Sequence, residues 1–181
     1  TPAQALAETI TLAQSCERWG YRRYWVAEHH NSSGLACTAP EILIGQIAAN
    51  TSSIHVGSGG VMLTHYSALK VAEQFRMLET FYPGRIDLGI GRAPGSDQLT
   101  ISALAYPKVP VDVQHFPQQV VDLIGYLSGT MSNGHPFSEL KAQAGQTPDH
   151  IPDLWLLGSS DYSAQLAAAL GLPFAFADFF G

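Results

Sequence analysis

The sequence predicts an α/β fold built on a parallel sheet, and three features of its 181 residues support this prediction. Short apolar strands alternate with helical segments along the whole chain. Several strands are apolar at almost every position, which is typical of a parallel sheet covered by helices. No linker, low-complexity tract or repeat divides the chain. The pattern therefore fits one domain, either a doubly wound sheet or a (β/α)8 barrel.

The number of strands indicates that this domain is incomplete. About five strands can be recognised, whereas a closed barrel needs eight strands and typically about 250 residues. The chain also opens on a helix that would normally follow a strand, and it stops at the end of another strand. We therefore expect residues 1–181 to form a single partial domain.

The first helix and the first strand lead into a cluster of polar residues. Apolar residues at helical spacing predict a helix that ends at Gly20. A strand follows over residues 22–30, in which aromatic and β-branched side chains lead. Its C-terminal end carries Glu28, His29 and His30 and opens into a loop. Ligands bind at this end of the strands in parallel α/β folds, so these three side chains are candidates for a site.

The second helix is predicted over residues 42–50. Thr38 and Glu41 precede it with the spacing of a capping box, in which the two side chains would bond free amides at the helix start. Small residues such as Gly45 and Ala48 line this helix, so we expect another element to pack closely against it.

The second strand is predicted over residues 54–63 and contains Gly57, Gly59 and Gly60. Two interpretations of these glycines stay open at this point. They can mark a bulge or close packing, or they can leave a backbone that a flat ligand approaches. A dinucleotide-binding loop is disfavoured, because the G-x-G-x-x-G spacing is absent.

The third strand, over residues 86–91, leads into Arg92 and follows a predicted helix over residues 67–81. Prolines break the region from there to residue 117, which predicts a long irregular loop over one end of the strands. The remaining predicted elements are a helix over 117–127, a surface excursion over 132–152, a strand over 154–157, a helix over 162–170 and a strand over 174–177.

Composition excludes several classes of partner. Nine basic and fifteen acidic residues give a formal charge of −6, and no basic run occurs, so nucleic acid and anionic membranes are not expected as partners. No apolar stretch is long enough to span a bilayer. Cys16 and Cys37 lack CxxC spacing, so we expect neither a disulfide framework nor a zinc site, and a reducing cytoplasm is the expected location.

The histidines do not have the spacing of a metal site. Adjacent residues of a strand face opposite sides, so His29 and His30 should not line one pocket together. We expect one ring to bond within the wall and the other to reach the cavity. His55 and His65 do not form a His-x-His pair either, so no metal is predicted.

A second group of residues suggests an anion site. Gly158, Ser159 and Ser160 precede a predicted helix and would offer free amides, hydroxyls and the positive end of the helix dipole. A simple serine N-cap explains the same residues equally well. Arg92 would complete a phosphate clamp if it lay beside them.

Together, these residues resemble a known family. Four motifs stand in the order and spacing of the bacterial luciferase-like flavin-dependent monooxygenases: Trp25 with Glu28-His29-His30, residues 57–63, residues 83–92, and Gly158-Ser159-Ser160. The resemblance covers essentially the whole chain. It implies a (β/α)8 TIM barrel of which about five βα units are present, without the first strand and the C-terminal part.

The resemblance also implies an activity and its partners. Family members bind reduced FMN at the carboxyl ends of their strands and use O2 to oxidise a small organic substrate such as an aldehyde. A flavin reductase would supply the reduced FMN. A homodimer is expected at full length, through helices that the ones over 42–50 and 67–81 resemble. The piece alone is expected to be inactive.

Site residues carry over position by position. His29 matches the catalytic histidine, and Gly59 and Gly60 match a pair at a non-proline cis peptide against the flavin ring. Arg92 and Ser159, with Ser160 nearby, match the phosphate clamp. Residues from the same motifs complete the predicted cofactor-binding set: Glu28, Ser58 and Gly158. Gly91 stands where the family's luciferase has a reactive cysteine, so light emission is not inferred.

Two alternatives remain beside this hypothesis. The related branch that uses the deazaflavin F420 carries out hydride transfer instead of oxygen chemistry. A truncated barrel or a flavin-binding subunit without catalytic activity would belong to another class. The sequence does not name the substrate.

Overall fold

Five parallel strands form one curled sheet, half of a barrel, in the computed structural model, which describes residues 1–93, 95–143 and 150–178. The strands are β1 (Arg23–Val26), β2 (His55–Met62), β3 (Ile86–Gly91), β4 (Asp153–Gly158) and β5 (Phe174–Phe176). The helices are α1 (Pro2–Arg18), α2 (Pro40–Ala49), α3 (Ala68–Phe81), α4 (Gln98–Ala105), α5 (Phe116–Ser128) and α6 (Asp161–Leu170). The predicted α/β fold with a parallel sheet is confirmed.

Sheet order follows chain order from β1 to β5, and each neighbouring pair is parallel. Parallel neighbours need a long crossover, and helices provide it between all four pairs. All strands therefore end at the same edge of the sheet, which we call the carboxyl edge. The opposite edge, where the strands begin, is called the amino edge below.

The core lies between the sheet and the helices that cover it. The strands contribute fully buried side chains: Val56, Leu88, Ile90 and Leu156. The helices contribute others: Ile44, Ile47, Phe75, Leu123 and Leu127. These large apolar groups form one cluster, so the half-barrel has a continuous core. Within the described residues, no helix combines the length and apolar character needed to cross a bilayer.

The predicted capping box before the second helix is wrong. α2 begins at Pro40, and its N-cap is Ala39, whose side chain makes no capping bond. Proline suits the first helical position because it has no amide hydrogen to satisfy, and it starts the helix two residues after Thr38. Glu41 instead accepts a hydrogen bond from Gln74 Nε2 at 3.0 Å, which joins α2 to α3.

The predicted irregular loop after the third strand contains a helix. α4 begins after Asp97, whose carboxylate accepts bonds from the Thr100 amide at 3.0 Å and from the Thr100 hydroxyl at 2.7 Å. A 3₁₀ turn, Val113–His115, precedes α5. α4 buries none of its residues, so it has no strong apolar periodicity to reveal it. The predicted excursion over 132–152 lies partly outside the described residues, at 144–149.

Small residues of α2 serve packing within the chain. Ala48 is 2% exposed, and a Cβ added to Gly45 would meet Leu78 Cδ2 at 3.4 Å. The element that packs closely against this helix is therefore α3 together with the core. Cys16 and Cys37 are free thiols in this structure.

A network of charged groups closes the amino edge. The Asp87 carboxylate is fully buried and accepts a bond from Trp25 Nε1 at 2.7 Å. Arg23 lies 3.0 Å from Asp87 Oδ2 through Nε and 3.0 Å from Asp153 Oδ2 through Nη2. His55 Nδ1 lies 3.5 Å from Asp87 Oδ1. Burial raises the pKa of the Asp87 carboxyl, while Trp25 and Arg23 oppose that rise.

Candidate active site at the carboxyl edge

The carboxyl edge brings together the polar segments singled out in the sequence. Val26 pairs with Ser58, Met62 pairs with Gly91, and β4 pairs with β3 up to Leu156. The segments that follow these paired residues therefore begin next to one another, at the carboxyl edge of the sheet. The predicted site residues that they carry are Glu28, His29, Gly59, Gly60, Arg92, Gly158, Ser159 and Ser160.

The Gly59–Gly60 peptide bond is cis, as the resemblance implied. The register of β2 against β3 shifts between Gly59 and Val61, which marks a bulge. A Cβ on Gly60 would meet Gly89 O at 2.8 Å and Leu157 Cδ1 at 3.1 Å. Close packing at a bulge therefore accounts for Gly60, and this favours the first of the two interpretations of the glycines.

Arg92 lies beside the start of α6. Its guanidinium carbon is 4.2 Å from the centre of the Tyr162 ring, which stands in the first turn of that helix. Such stacking fixes the plane of a guanidinium and leaves its N–H groups available. Arg92 forms no ion pair with any residue that the structure describes. Within the described residues, a cation without a counter-ion thus stands next to a helix N-terminus.

Ser159 and Ser160 stand at the N-terminus of α6, which is open to solvent. Ser160 is the N-cap of α6, but its hydroxyl makes no capping bond, and both serines are exposed. Gly158 has a packing reason, because an added Cβ would lie 2.7 Å from Ser163 Oγ. The two hydroxyls and the first amides of α6 can therefore donate hydrogen bonds to an anion from solvent.

Glu28 is held inside the protein by three hydrogen bonds. Its side chain is 1% exposed. Oε1 lies 2.6 Å from His30 Nε2 and 2.6 Å from the Tyr66 hydroxyl, and Oε2 accepts the Met62 amide at 3.0 Å. Burial, and then the bond to Glu28, raise the pKa of the Tyr66 hydroxyl far above its usual range. These bonds link the segment after β1 to the end of β2 and the turn that follows it.

His29 and His30 lie beyond their strand, because β1 ends at Val26. The alternation expected of strand residues does not apply to them. His30 bonds to Glu28, which matches the expected ring within the wall. His29 is half-buried and donates its backbone amide to Cys37 O at 3.0 Å. Its ring makes no hydrogen bond with the residues that the structure describes.

Ser58 faces inward at the centre of the sheet. Its hydroxyl is buried and donates to Gly89 O at 2.8 Å. Gly91, at the end of β3, has open space where a side chain would point, since an added Cβ would meet nothing within 4 Å. The end of β3 therefore offers bare backbone, whereas Ser58 contributes a bond within the sheet.

Sequence reasoning missed three partners in this region. Tyr66 meets Glu28 across 38 positions, and Tyr162 meets Arg92 across another strand and two helices. Asp97 accepts a bond from Asn31 Nδ2 at 3.1 Å, which joins α4 to the segment after β1. That bond and those from Thr100, of which the hydroxyl's is the strongest, lower the pKa of Asp97 well below its usual range. Only the spacing of Asp97 and Thr100, typical of a helix start, was a usable signal.

Comparisons with known proteins place the chain in a family. The family model described as luciferase-like monooxygenase matches residues 1–180. A luciferase-like monooxygenase of Escherichia coli K12 is 51% identical over 177 residues, 98% of this chain and 51% of its own length. An N-acetyl-S-alkylcysteine monooxygenase of Bacillus subtilis is 46% identical over 180 residues, 99% of this chain and 53% of its own length. The chain thus spans about half the length of these curated relatives.

Solved structures agree on the fold. The crystal structure of apo-MsnO8 matches with a TM-score of 0.89 and 48% identity, over 99% of this chain and 52% of that one. Two more distant structures share the fold. The oxygenating constituent of 3,6-diketocamphane monooxygenase, in complex with FMN, has a TM-score of 0.73 and 17% identity over 97% of this chain and 53% of that one. An F420-dependent secondary alcohol dehydrogenase has a TM-score of 0.71 and 19% identity over 92% of this chain and 51% of that one.

Proposed function

The chain belongs to the luciferase-like monooxygenase family, and on this premise we propose that it forms the phosphate-binding half of an FMN-dependent monooxygenase. The intact enzyme would use O2 to oxidise a small organic substrate. One observation carries the assignment of the cofactor: the guanidinium of Arg92 lies over Tyr162 at the open N-terminus of α6, with no carboxylate partner in the described chain.

The phosphate of FMN needs such a place. A phosphate monoester carries a charge of about −1.5 to −2 at pH 7, and it is bound only where donors replace its water. Arg92 can supply two parallel N–H bonds. Ser159 and Ser160 can supply hydroxyls and the first amides of the helix, whose dipole favours an anion there. The donor set fits a terminal phosphate.

The flavin ring needs a flat surface without side chains. At the end of β3, Gly91 has open space where a side chain would lie. Gly59 and Gly60 stand on the neighbouring strand β2, where packing against Trp25 and Gly89 excludes side chains, and we propose that their half-buried peptide adds to this surface. When bound, reduced flavin would supply the two electrons that activate oxygen. We assign the remaining predicted cofactor residues supporting roles, because the side chains of Glu28 and Ser58 already bond within the protein.

His29 is proposed as the catalytic residue. Its ring makes no bond with the described chain, and it leaves the strand next to the one that carries Gly59 and Gly60. An imidazole in this position can donate a proton to, or accept one from, a substrate oxygen. It would act beside the flavin without holding it.

The proposed substrate class and partners are supported by the family. The 46% identity to an N-acetyl-S-alkylcysteine monooxygenase supports a thioether as a substrate class beside the aldehyde expected from the sequence. A flavin reductase is the proposed source of reduced FMN. A homodimer is proposed through the outer faces of α2 and α3, where large apolar side chains are exposed: Ile42, Met77 and Phe81.

FMN titration of the chain tests the cofactor assignment. Arg92→Ala should weaken FMN binding by about 1.5–3 kcal/mol, roughly 10- to 150-fold, the range for hydrogen bonds to charged groups. Riboflavin lacks the phosphate, so its affinity should not respond to the substitution. Arg22→Ala, at an exposed arginine near the amino edge, is the matched control. Equal losses for FMN and riboflavin would contradict the phosphate clamp.

Turnover separates the proposed roles. In the intact enzyme, His29→Ala should leave FMN affinity nearly unchanged and reduce oxygen uptake with reduced FMN. Absence of oxygen uptake in the wild type, with hydride transfer to F420, would identify the deazaflavin branch, whose structural neighbour shares the fold. FMN binding without either reaction would leave a non-catalytic subunit.

A further inference from the structure

A second imidazole at the carboxyl edge is backed by a carboxylate. His30 Nε2 lies 2.6 Å from Glu28 Oε1, and the His30 side chain is 12% exposed. Tyr66 donates its hydroxyl to the same oxygen, and the Met62 amide donates to the other. A carboxylate that accepts these bonds also accepts one from His30. The arrangement assigns the proton to Nε2 and leaves the lone pair on Nδ1.

The other edge of the His30 ring faces an open groove. This groove has a volume of about 510 Å³ and is lined by His30, Asn31, Leu99, Thr100, Ala103 and Leu104. Besides Glu28, the Tyr66 hydroxyl lies 3.4 Å from the His30 ring, and this contact is also with Nε2. Both contacts with described residues are therefore with Nε2, which leaves Nδ1 for a ligand in the groove.

The far wall of the groove is apolar and firmly placed. α4 supplies Leu99, Ala103 and Leu104, and Leu99 is 79% exposed. Asp97 holds the start of α4 and accepts the bond from Asn31, so the wall and the histidine segment are joined across the groove. A ligand in the groove would meet apolar side chains on one side and an imidazole nitrogen on the other.

We propose that His30 is a second acid–base residue of this site, positioned by Glu28 and Tyr66, and that the α4 groove holds the apolar part of the organic substrate. The proposal rests on the monooxygenase role assigned above, because His30, which lines the groove, is the chain neighbour of His29. It differs from that role in naming where the substrate lies and which group exchanges a proton with it.

The proton transfer is simple. An O–H group of the bound substrate, such as that of an aldehyde hydrate, gives its proton to His30 Nδ1, and the bonding pair stays on the substrate oxygen. The imidazole becomes an imidazolium, which the Glu28 carboxylate stabilises through Nε2. The proton leaves later to solvent or to product. Glu28 and Tyr66 lie behind the ring, His65 lies beside it with ring centres 6.3 Å apart, and α4 itself carries no charged residue.

NMR of the chain with ¹⁵N-labelled histidine tests the arrangement without any flavin. Wild type should show a His30 Nε2–H signal that exchanges slowly with water and is shifted downfield. Glu28→Gln should shift this signal upfield or lose it. If His30 carries its proton on Nδ1 in the wild type, the proposal is wrong. This measurement holds whether or not FMN is the cofactor.

Kinetics of the intact enzyme test the role. His30→Gln should lower kcat by roughly 100-fold or more, within the usual contribution of a general acid or base, and remove the acid limb of the pH profile of kcat/KM. Tyr66→Phe should give a smaller decrease with the limb retained. The control is His115→Gln, at an exposed histidine before α5, which should change neither.

A substitution in α4 tests whether the substrate binds in the groove. Ala103→Glu should raise KM for the substrate without changing FMN affinity, because it places a charge in the apolar wall. The proposal would be overturned if His30→Gln matched His115→Gln in kcat, or if Ala103→Glu left KM unchanged. Loss of FMN binding in the wild type would instead count against the proposed function, and the NMR result would still decide the state of His30.

Discussion

The two edges of the half-barrel use charged residues in opposite ways. At the amino edge, Arg23 forms ion pairs with two carboxylates, and Trp25 donates to one of them, so each charged group has a partner within the chain. At the carboxyl edge, Arg92 has only an aromatic ring beside it in the described chain, and Ser160 caps a helix without bonding it. The same strands connect both arrangements.

The difference separates stability from binding. Groups that satisfy one another have nothing left to offer a ligand, and removing one of them leaves the other buried and unpaired. Groups that lack partners cost stability in isolation but are free to bind. Parallel α/β folds place their sites at the carboxyl ends of strands, and the positions of Arg92 and Ser160 agree with that rule.

Removing a charge from the network at the amino edge should have the largest effect on stability. Arg23→Met leaves the fully buried Asp87 carboxylate without its cation, which should lower the free energy of unfolding by about 3–5 kcal/mol. Urea unfolding followed by circular dichroism measures this change. The neighbouring Arg22→Met is the matched control, because Arg22 is exposed and should change stability by less than about 0.5 kcal/mol.

A double variant distinguishes charge from shape. Arg23→Met with Asp87→Leu removes both charges and should recover much of the stability lost in Arg23→Met. If the double variant is less stable than the single one, the network does not act through an uncompensated charge. FMN affinity should stay unchanged in every variant that folds, because the network lies at the opposite edge.

Two glycines of β3 give the next contrast. A Cβ on Gly89 would overlap the Ser58 carbonyl and lie 2.6 Å from Leu157 Cδ1, whereas one on Gly91 would meet nothing within 4 Å. Gly89→Ala should therefore cost about 1–3 kcal/mol or more, as overpacking does, and Gly91→Ala should change stability little. Thermal unfolding compares them directly. Similar losses at both positions would show that the strand end is packed as tightly as its centre.

Much of this architecture could be predicted because it depends on local patterns. The third strand was predicted over residues 86–91 and is observed as Ile86–Gly91, since its apolar run is bounded by Gly84 and by Arg92. The sheet type followed from strands that are apolar on both faces. The cis bond at Gly59–Gly60 followed from the family resemblance.

The interactions that shape the site could not be predicted in this way. The motif around Glu28 predicts a cofactor-binding residue. Its hydrogen bond with Tyr66 depends on the path of the 38 residues between them, which local patterns do not give. α4 was missed because a helix that buries nothing has no apolar stripe. The error at Thr38 arose because Pro40 takes the first helical position, which moves the N-cap by one residue, from Thr38 to Ala39. Long-range contacts and exposed elements are where local patterns carry least information.

A smaller effect should appear at Glu17, near the amino edge. Its Oε1 accepts the amides of Ser52, Ser53 and Ile54 at 2.9, 2.6 and 2.9 Å. These bonds, with Ile54 the strongest, lower the pKa of Glu17 from 4.5 to about 2. Glu17→Gln should destabilise the chain by about 1 kcal/mol at pH 7, a typical hydrogen-bond contribution.

The pH dependence of that loss fixes its cause. A carboxyl with a lowered pKa stabilises the folded state fully above its unfolded value of 4.5, and the contribution is lost as pH falls through about 2. The difference between wild type and Glu17→Gln should therefore be constant from pH 7 to 5 and shrink between pH 4.5 and 2. Urea midpoints at several pH values give the curve. Glu8→Gln, on an exposed face of α1, is the control and should show no such window.

The smallest effect on stability is expected at Ser160. A substitution there tests most directly whether the carboxyl edge serves binding and not stability. Its hydroxyl makes no bond to α6, so Ser160→Ala should change the free energy of unfolding by less than about 0.5 kcal/mol. If that hydroxyl bonds a phosphate, the same change should weaken FMN binding by about 0.5–1.5 kcal/mol. Asp97→Ala offers the reverse case, because Asp97 does bond the amide of Thr100 and should lose stability without losing FMN affinity. Calorimetric titration and thermal unfolding of both variants give the four numbers. A stability loss at Ser160 with unchanged FMN affinity would mean that this serine is an ordinary helix cap, and that the carboxyl edge is satisfied from within as the amino edge is.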